Sequence, residues 1–224
     1  MHDEVLILGG GVAGCAASIA LARKGYSVRL IEREIAPRHK VCGEFLSGEA
    51  LEDLHALGID VASLGAVPIH HVRLAAAQRA AEAPLPFVAA SLTRKALDTA
   101  LIAAAVDAGV DVERGRTVQT LERSAGGVWQ AALNDGAVRA ARTVFLATGK
   151  HDLRGHRRPD DPQRWVAFKM YFRLAPGQAA ELAGASELML YPGERHGLHG
   201  NERNLQRYRL YLDFFKRKLM PDAK

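Results

Sequence analysis

Cysteine and aromatic residues are scarce in this sequence. Two of its 224 residues are cysteines, Cys15 and Cys42, and 6% are aromatic. Two cysteines cannot staple a chain of this length, so a disulfide scaffold is excluded and a reducing, cytoplasmic location is expected. Long apolar runs are also missing. The stretch from Val5 to Ala22 comes closest to a membrane span, but four glycines interrupt it, and Asp3 and Glu4 precede it. We therefore expect neither a membrane-spanning helix nor an export signal.

Positive charge is in excess, but it is not spread over the chain. The formal net charge is +5. Residues 193–224 hold eight Lys/Arg against four Asp/Glu, a net of +4, which leaves a net of +1 for the first 192 residues. Binding to a phosphate backbone needs a basic surface on the folded body, so we expect no nucleic-acid partner. The composition, 48% hydrophobic and 25% charged, is typical of a soluble globular protein.

A glycine-rich turn follows the first predicted strand, Val5–Leu8. Gly9, Gly11 and Gly14 form the pattern G-x-G-x-x-G. In a strand–turn–helix unit the first glycine allows a tight turn, and the second allows a pyrophosphate to approach the backbone. The third allows the helix to pack closely on the sheet. This spacing predicts a dinucleotide site.

The helix after the turn and the strand after the helix supply the rest of this motif. The helix is predicted over 13–24, so N–H groups at its start, at Val12 and Ala13, would bind phosphate. The next strand, over 27–32, ends at Glu32, 18 residues after Gly14. A carboxylate at that spacing can accept hydrogen bonds from a ribose diol. NAD and FAD both fit this pattern.

The order of the later elements favours FAD. Helices are predicted over 47–57 and 91–108, and weakly alternating strands over 69–74 and 86–90. Three strands follow over 118–123, 128–133 and 138–146, with Gly126-Gly127 and Asn134-Asp135-Gly136 as turns. An NAD domain would keep alternating strand and helix after Glu32, whereas this chain forms an antiparallel meander that ends at Ala147-Thr148-Gly149. Further strands are predicted over 165–174 and 187–191.

Several segments together resemble a known family. The chain is similar to the flavin-dependent oxidoreductases that include geranylgeranyl reductases and aromatic-hydroxylase-type monooxygenases. The resemblance implies an α/β fold: an FAD-binding Rossmann-like domain with a parallel sheet and a β-meander, then the start of a mostly antiparallel substrate domain. The matching segments are Ile7–Gly14, Glu32-Arg33, Lys40-Val41-Cys42-Gly43-Glu44, Thr93–Asp98, and Leu146–Lys150 followed by Arg154.

The resemblance implies roles at the adenosine end of the cofactor. Glu32 would hold the adenosine ribose, and Arg33 would lie beside the adenine or the phosphates. The backbone of Val118 would meet the adenine. Gly149 would form the turn that lets the chain return under the cofactor.

The resemblance also implies contacts nearer the flavin. Cys42 and Gly43 would lie in the loop that passes the ring, and Arg94 would reach the phosphates or the ribityl chain. Independently, a guanidinium at a helix start is unfavourable unless an anion is nearby. Cys42 is interpreted as a small residue beside a planar ring, with a reactive thiol as the alternative, because Arg38 to Lys40 could lower its pKa. Cys15, in the first turn of the helix, is predicted to be a packing residue.

The family resemblance divides the chain into three parts. Residues 1–155 form the FAD-binding domain, with inserted strands near 67–90, and residues 156–193 begin the substrate domain. Residues 194–224 form a basic tail without family likeness. The Gly-Asp segment with which the family's longer chains return to the cofactor does not occur. We interpret the chain as a truncated member of the family. The tail would form a helix that packs on the body or lies weakly on an anionic membrane surface, with an apolar stripe of Leu205, Tyr208, Leu212, Phe215 and Leu219.

The functional hypothesis is an FAD-binding oxidoreductase, a reductase or monooxygenase acting on a small apolar substrate, with NAD(P)H as a candidate electron donor. The alternatives are a non-catalytic remnant that keeps dinucleotide binding and a membrane-surface protein that uses the tail. No catalytic residue is named, and the sequence leaves the oligomeric state open. No metal site is expected at His70-His71, because neighbouring residues of a strand point to opposite faces and cannot bind one ion. None is expected at His196 and His199 either, because they lie in a predicted loop with no third ligand.

Overall fold

The computed structural model describes residues 3–42, 44–76, 79–149, 151–156 and 185–189. Contacts divide them into two compact units. The first contains residues 3–40, 49–66, 92–149 and 151–156, and the second contains the others. The predicted strand over 165–174, most of the predicted substrate domain and the basic tail lie outside the described residues. The domain boundaries at 155 and 193 therefore stay predictions.

Parallel strands and two helices form the first part of the first unit. The strands β1 (Asp3–Leu8) and β2 (Val28–Glu32) are parallel, and α1 (Val12–Ala22) connects them. Helix α3 (Arg94–Asp107) leads into β6 (Asp111–Arg114), which pairs with β2 in parallel. Because β1, β2 and β6 are parallel to one another, the C-terminal ends of β1 and β2 lie at the same edge of the sheet.

An antiparallel meander completes the first unit. It consists of β7 (Val118–Arg123), β8 (Trp129–Leu133) and β9 (Val138–Leu146). The first residues of β9 pair with β8, and the last residues, from Ala141 on, pair with β1 in parallel. The strand order is therefore β6-β2-β1-β9-β8-β7. This arrangement brings the end of β9 beside the glycine-rich turn.

The sheet of the first unit has an apolar core on each face. On one face α1 packs against α3 and β2, where Ile19 and Leu101 are fully buried. On the other face, alternate residues of β1 and β2 pack against the meander, and this cluster contains Leu6, Leu8, Ile31, Leu121, Ala131, Leu133, Ala141 and Leu153. The near-continuous apolar sequence of β1 follows from burial on both faces.

The second unit contains a four-stranded sheet in the order β10-β4-β5-β3. Its strands are β3 (Phe45–Leu46), β4 (Val67–Ala76), β5 (Arg79–Ser91) and β10 (Ala185–Met189). Pairing is antiparallel except between β4 and β10. The remaining helix, α2 (Gly48–Ala56), belongs to the first unit apart from its first residue. The predicted fold class, an α/β fold with a parallel sheet and a meander together with a separate, mostly antiparallel sheet, is confirmed.

Several details of the predicted elements were wrong. Strands β3 and β6 were missed, because two and four residues are too few to show a period. The strands predicted over 69–74 and 86–90 are longer in the structure, as β4 and β5. Helix α3 begins at Arg94 and not at Ser91, because Ser91 ends β5 and Thr93 caps the helix by accepting a hydrogen bond from the N–H of Ala96 at 3.2 Å.

Candidate functional site

Gly9 and Gly14 are glycines because the chain itself leaves no room for a side chain. Gly9 has φ +114°, and a Cβ there would lie 2.3 Å from the carbonyl oxygen of Ala147. A Cβ on Gly14 would lie 1.8 Å from the carbonyl oxygen of Gly9. The turn after β1 is therefore held tightly between α1 and the end of β9, as the sequence pattern predicts.

Gly11 differs from these two glycines because no close neighbour explains it. It has an ordinary extended conformation, with φ −81° and ψ −173°. Among the described residues, the nearest heavy atom to a Cβ built there is Nη2 of Arg94, at 4.0 Å. Neither sterics nor backbone conformation demands glycine here. A ligand that approaches the backbone would demand it, and this is where the G-x-G-x-x-G pattern places a pyrophosphate.

The N-terminus of α1 faces this open position. Gly11 is the N-cap, and no described side chain caps the helix. The first intrahelical hydrogen bond is donated by the N–H of Cys15 to the carbonyl of Gly11, at 2.9 Å. The N–H groups of Val12, Ala13 and Gly14 therefore have no acceptor within the helix and give this end a partial positive charge.

Cys15 lies directly under this helix start and stays uncharged. Its side chain is fully buried, and its Sγ lies 3.4 Å from the carbonyl oxygen of Gly10. Burial, together with the nearby carboxylates of Asp98 and Glu32, raises the pKa of the thiol to about 12. A neutral thiol does not reduce the attraction of the helix start for an anion, and the predicted packing role of Cys15 is confirmed.

Glu32 ends β2 beside the glycine-rich turn. Its Oε2 accepts a hydrogen bond from the N–H of Gly10 at 2.6 Å, and its Oε1 accepts one from the N–H of Glu34 at 2.8 Å. These two bonds fix the carboxylate. Each carboxylate oxygen has a second acceptor position. Glu32 can therefore also accept hydrogen bonds from two neighbouring hydroxyl groups such as those of a ribose.

A shallow cleft open to solvent lies next to Glu32. One wall is the segment from Glu34 to Lys40, and the opposite wall is α3. Three cations and three carboxylates contribute to it: Arg38, Lys40, Arg114, Glu32, Glu34 and Asp98. The remaining lining residues, Gly10, Ala36, Pro37 and Ile102, are apolar, and Gly10 connects the cleft to the glycine-rich turn.

Two arginines of the candidate site bind carboxylates of the chain itself. The Nε of Arg33 lies 3.3 Å from Oε1 of Glu34, and its side chain is about half exposed. Arg94 lies in the first turn of α3, where its Nε and Nη2 donate to Oδ1 of Asp98 at 3.1 and 2.9 Å. An arginine at a helix start is expected to have an anion nearby, and for Arg94 that anion is Asp98. Nη2 of Arg94 also lies 4.0 Å from the position of a Cβ built on Gly11. The predicted contacts of Arg33 and Arg94 with the cofactor stay predictions.

Backbone hydrogen bonds join the segments before Val118 and Gly149 to the first two strands, and the predicted contacts of these two residues with the cofactor stay predictions. The N–H of Arg116 donates to the carbonyl of Glu32 at 3.1 Å, so the segment leading to Val118 lies against the end of β2. The N–H of Ala147 donates to the carbonyl of Leu8 at 2.9 Å, which holds the segment before Gly149 beside Gly9. Gly149 has φ +67°, as a turn glycine does.

Cys42 belongs to the second unit, where its Sγ accepts a hydrogen bond from the N–H of Glu44 at 3.4 Å. Gly43 lies outside the described residues. Neither cysteine forms a disulfide. The predicted roles of Cys42 and Gly43 at the flavin stay predictions.

No role was predicted for Asp98, although it lies in the segment Thr93–Asp98 that resembles the family. Asp98 is 2% exposed and lies on the buried face of α3 with Leu97, Leu101 and Ile102. An acidic residue at a position where the helical period demands an apolar one was the available signal.

Within the described ranges, no group of three or more His, Cys, Asp or Glu residues could hold a metal ion. None of the helices in that part of the chain is long and apolar enough to cross a membrane.

Comparisons with known proteins agree with this geometry. A family model described as FAD binding domain matches residues 2–144. The menaquinone reductase of Mycolicibacterium smegmatis is 27% identical over 158 residues, which cover 68% of this chain and 39% of the reductase. The squalene epoxidase Erg1 of Aspergillus fumigatus is 40% identical over 58 residues, or 26% of this chain and 12% of the epoxidase.

Solved structures show the same fold. The structure of the flavin-dependent brominase Bmp2 is similar with a TM-score of 0.58 and 26% identity, over 67% of this chain and 39% of the brominase. The chain thus spans about two fifths of the length of the brominase and of the menaquinone reductase.

Proposed function

Because the chain belongs to the FAD-binding domain family, we propose that it is an FAD-dependent oxidoreductase, a reductase or monooxygenase that acts on an apolar substrate. The observation that carries the proposal is the space at Gly11. It lies at the start of α1, where the chain needs no glycine and where Arg94 is the nearest described side chain. The residues around it fit a diphosphate that joins two nucleotide halves.

The residues of the chain bind and orient the cofactor. The N–H groups at the start of α1 bind the pyrophosphate, and the guanidinium of Arg94 lies close enough to add a charge-assisted hydrogen bond. The carboxylate of Glu32, held by the N–H groups of Gly10 and Glu34, binds the adenosine ribose. Residues of the segment from Glu34 to Lys40, which line the cleft with Glu32, would then contact the adenosine half.

Bound FAD supplies hydride or oxygen chemistry, and the protein supplies its position and surroundings. We propose NAD(P)H as the electron donor. An apolar substrate is supported by the names of two relatives, since menaquinone and squalene are both largely hydrocarbon. In the second unit, Phe45 and Val67 flank Ser91 on one face of the sheet, and both are about half exposed. Such side chains offer a surface to an apolar molecule.

FAD titration of the purified protein tests the proposal. We expect a yellow complex whose flavin fluorescence changes on binding and whose visible absorption bleaches when NADH or NADPH is added without oxygen. A protein that takes up no FAD, by absorption or calorimetry, contradicts the proposal. Bound FAD that neither nicotinamide reduces contradicts the NAD(P)H step and supports a non-catalytic dinucleotide-binding protein.

A further inference from the structure

Asp98 is a buried carboxylate that the proposed binding of FAD does not yet explain. It is 2% exposed and lies on the inner face of α3 between Leu97 and Leu101. A carboxylate loses much of its hydration when it is buried, so it stays charged only if cations or N–H donors replace the water. Asp98 does have such partners, one on its own helix and one in a segment far away in the sequence.

The carboxylate of Asp98 binds two cations, and Oδ2 is shared between them, since Nη2 of Arg94 also donates to it at 3.3 Å. Oδ1 accepts hydrogen bonds from Nε and Nη2 of Arg94, four residues earlier on the same helix. Oδ2 lies 2.7 Å from Nζ of Lys40, at the end of the segment that forms the opposite wall of the cleft. The cations remain partly accessible, since their side chains are 20% and 32% exposed.

This cluster carries a surplus positive charge at the edge of the space above Gly11. Two cations and one carboxylate sum to a net charge of +1, and the start of α1 adds about half a positive charge. Arg94 reaches the edge of the Gly11 space. This net positive charge would attract the two negative charges of a pyrophosphate.

We propose that Asp98 is a positioning residue, which holds Arg94 at the pyrophosphate and fastens the segment ending at Lys40 over the adenosine half of the ligand. The proposal rests on the proposed function for the identity of the ligand. Asp98 binds both the ammonium of Lys40 and the guanidinium of Arg94, so without its carboxylate the two cations would repel each other and turn toward solvent.

The segment from Glu34 to Lys40 is held at both ends. At its start, the N–H of Glu34 donates to Glu32, and the carboxylate of Glu34 pairs with Arg38 at 2.9 Å. At its end, the Lys40–Asp98 ion pair joins it to α3. Loss of the second attachment would free this wall of the cleft while its first attachment remained.

Hydrogen exchange of the protein without ligand tests the fastening directly. In Asp98→Asn, whose side chain has the same shape without the charge, we expect backbone amides of residues 34–40 to exchange about fivefold faster. Asp98→Glu, which keeps the carboxylate, should restore at least part of the protection. Asp107→Asn, on the same helix but exposed at its far end, is the matched control and should change nothing.

FAD affinity tests the positioning of the cations. We expect Asp98→Asn and Lys40→Met each to weaken FAD binding about tenfold, because charge-assisted hydrogen bonds to the phosphates are misplaced. Lys95→Met removes one positive charge from an exposed position beside Arg94 and is the matched control. It should weaken binding less than threefold.

The outcomes separate this proposal from the proposed function. Unchanged exchange and unchanged FAD affinity in Asp98→Asn overturn the positioning role while FAD binding stands. Equal losses of affinity in Lys95→Met and Lys40→Met also overturn it, since they show only general charge attraction. If the native protein binds no FAD, the proposed function fails, and the exchange experiment still decides whether Asp98 fastens the segment. If Asp98→Asn does not fold, Lys40→Met decides by both measurements, because it leaves the Arg94–Asp98 pair intact.

Discussion

At the scale of single residues, the three glycines of the first turn are required for different reasons. A side chain on Gly9 or Gly14 would meet a backbone oxygen, at 2.3 and 1.8 Å from the respective Cβ. Gly11 has no such neighbour among the described residues, so its small size matters only when a ligand is present. Gly9 and Gly14 are therefore needed for the fold, whereas Gly11 is needed for ligand binding.

Gly11→Ala should weaken FAD binding without unfolding the protein. Its methyl group would occupy the space of the pyrophosphate, so we expect FAD affinity to fall about tenfold or more, with a stability loss of at most about 1 kcal/mol from the altered helix cap. Gly14→Ala should instead lower the free energy of unfolding by about 3 kcal/mol or more. Urea denaturation and FAD titration of both variants measure the two effects. A Gly11→Ala protein that binds FAD normally would contradict the site.

The two cysteines should differ in reactivity toward a thiol reagent. Cys15 is fully buried with a pKa of about 12, so it is neither accessible nor ionised at pH 8, whereas Cys42 is partly exposed. We expect one thiol to react with a colorimetric disulfide reagent in the native protein and two in denaturant. Mass spectrometry should locate the fast site at Cys42. Rapid labelling of Cys15 would show that the turn above it opens.

At the scale of secondary-structure elements, polar side chains join strands that are far apart in the sequence. Glu113 on β6 binds Arg29 on β2 and Arg139 on β9, and Arg29 also binds Asp3 on β1 at 2.7 Å. The hydrogen bond from Arg139, with a further one from Arg29, lowers the pKa of Glu113 although burial opposes the change. This network fixes four strands of the first sheet.

The network predicts a loss of stability in acid. Because the pKa of Glu113 is lowered on folding, its contribution is complete above its ordinary value of 4.5 and is lost as the pH falls through the folded value. We expect Glu113→Gln to destabilise the protein by about 1–2 kcal/mol at pH 7. Urea denaturation from pH 7 to pH 3 should show this difference shrinking below pH 4.5. If the difference in unfolding free energy did not change with pH, protonation of Glu113 would not contribute to acid unfolding.

The start of α3 provides a second prediction at this scale. Thr93 caps the helix that carries Arg94 and Asp98, so Thr93→Ala should cost about 1 kcal/mol. Thr99→Ala is the matched control, because Thr99 lies within the same helix and its hydroxyl donates only to the carbonyl of Lys95. That variant should be neutral or slightly stabilising, since alanine favours a helix. Equal effects in thermal denaturation would argue against the cap.

At the scale of the whole molecule, the family resemblance in the sequence is confirmed by the match over residues 2–144 and by the fold. Every residue that lines the cleft belongs to the first unit. Binding of FAD should therefore stabilise this unit in particular, by an amount that depends on ligand concentration.

Thermal denaturation measures that coupling. With FAD at about one hundred times its dissociation constant, we expect the free energy of unfolding to rise by about 2.7 kcal/mol. At the same FAD concentration a tenfold weaker Gly11→Ala protein is at about ten times its dissociation constant, so its free energy of unfolding should rise by about 1.4 kcal/mol or less. A rise of equal size in that variant would place FAD away from the glycine-rich turn.

The sequence by itself determined the features that depend on short spacings. The G-x-G-x-x-G pattern and Glu32 at the end of the next strand could be predicted because neighbouring residues fix the turn, the helix start and the strand end. The Asp135-Gly136 turn was predicted for the same reason, and Gly136 has φ +83°.

Only the tertiary structure decided which distant groups meet. It paired Lys40 with Asp98, placed Arg116 on the end of β2 and added β6 beside β2. No local period encodes these contacts, because they form when separate segments pack on the same sheet. The same packing turned Asp98 from an unexplained acid on an apolar helix face into the common partner of two cations at the proposed phosphate site.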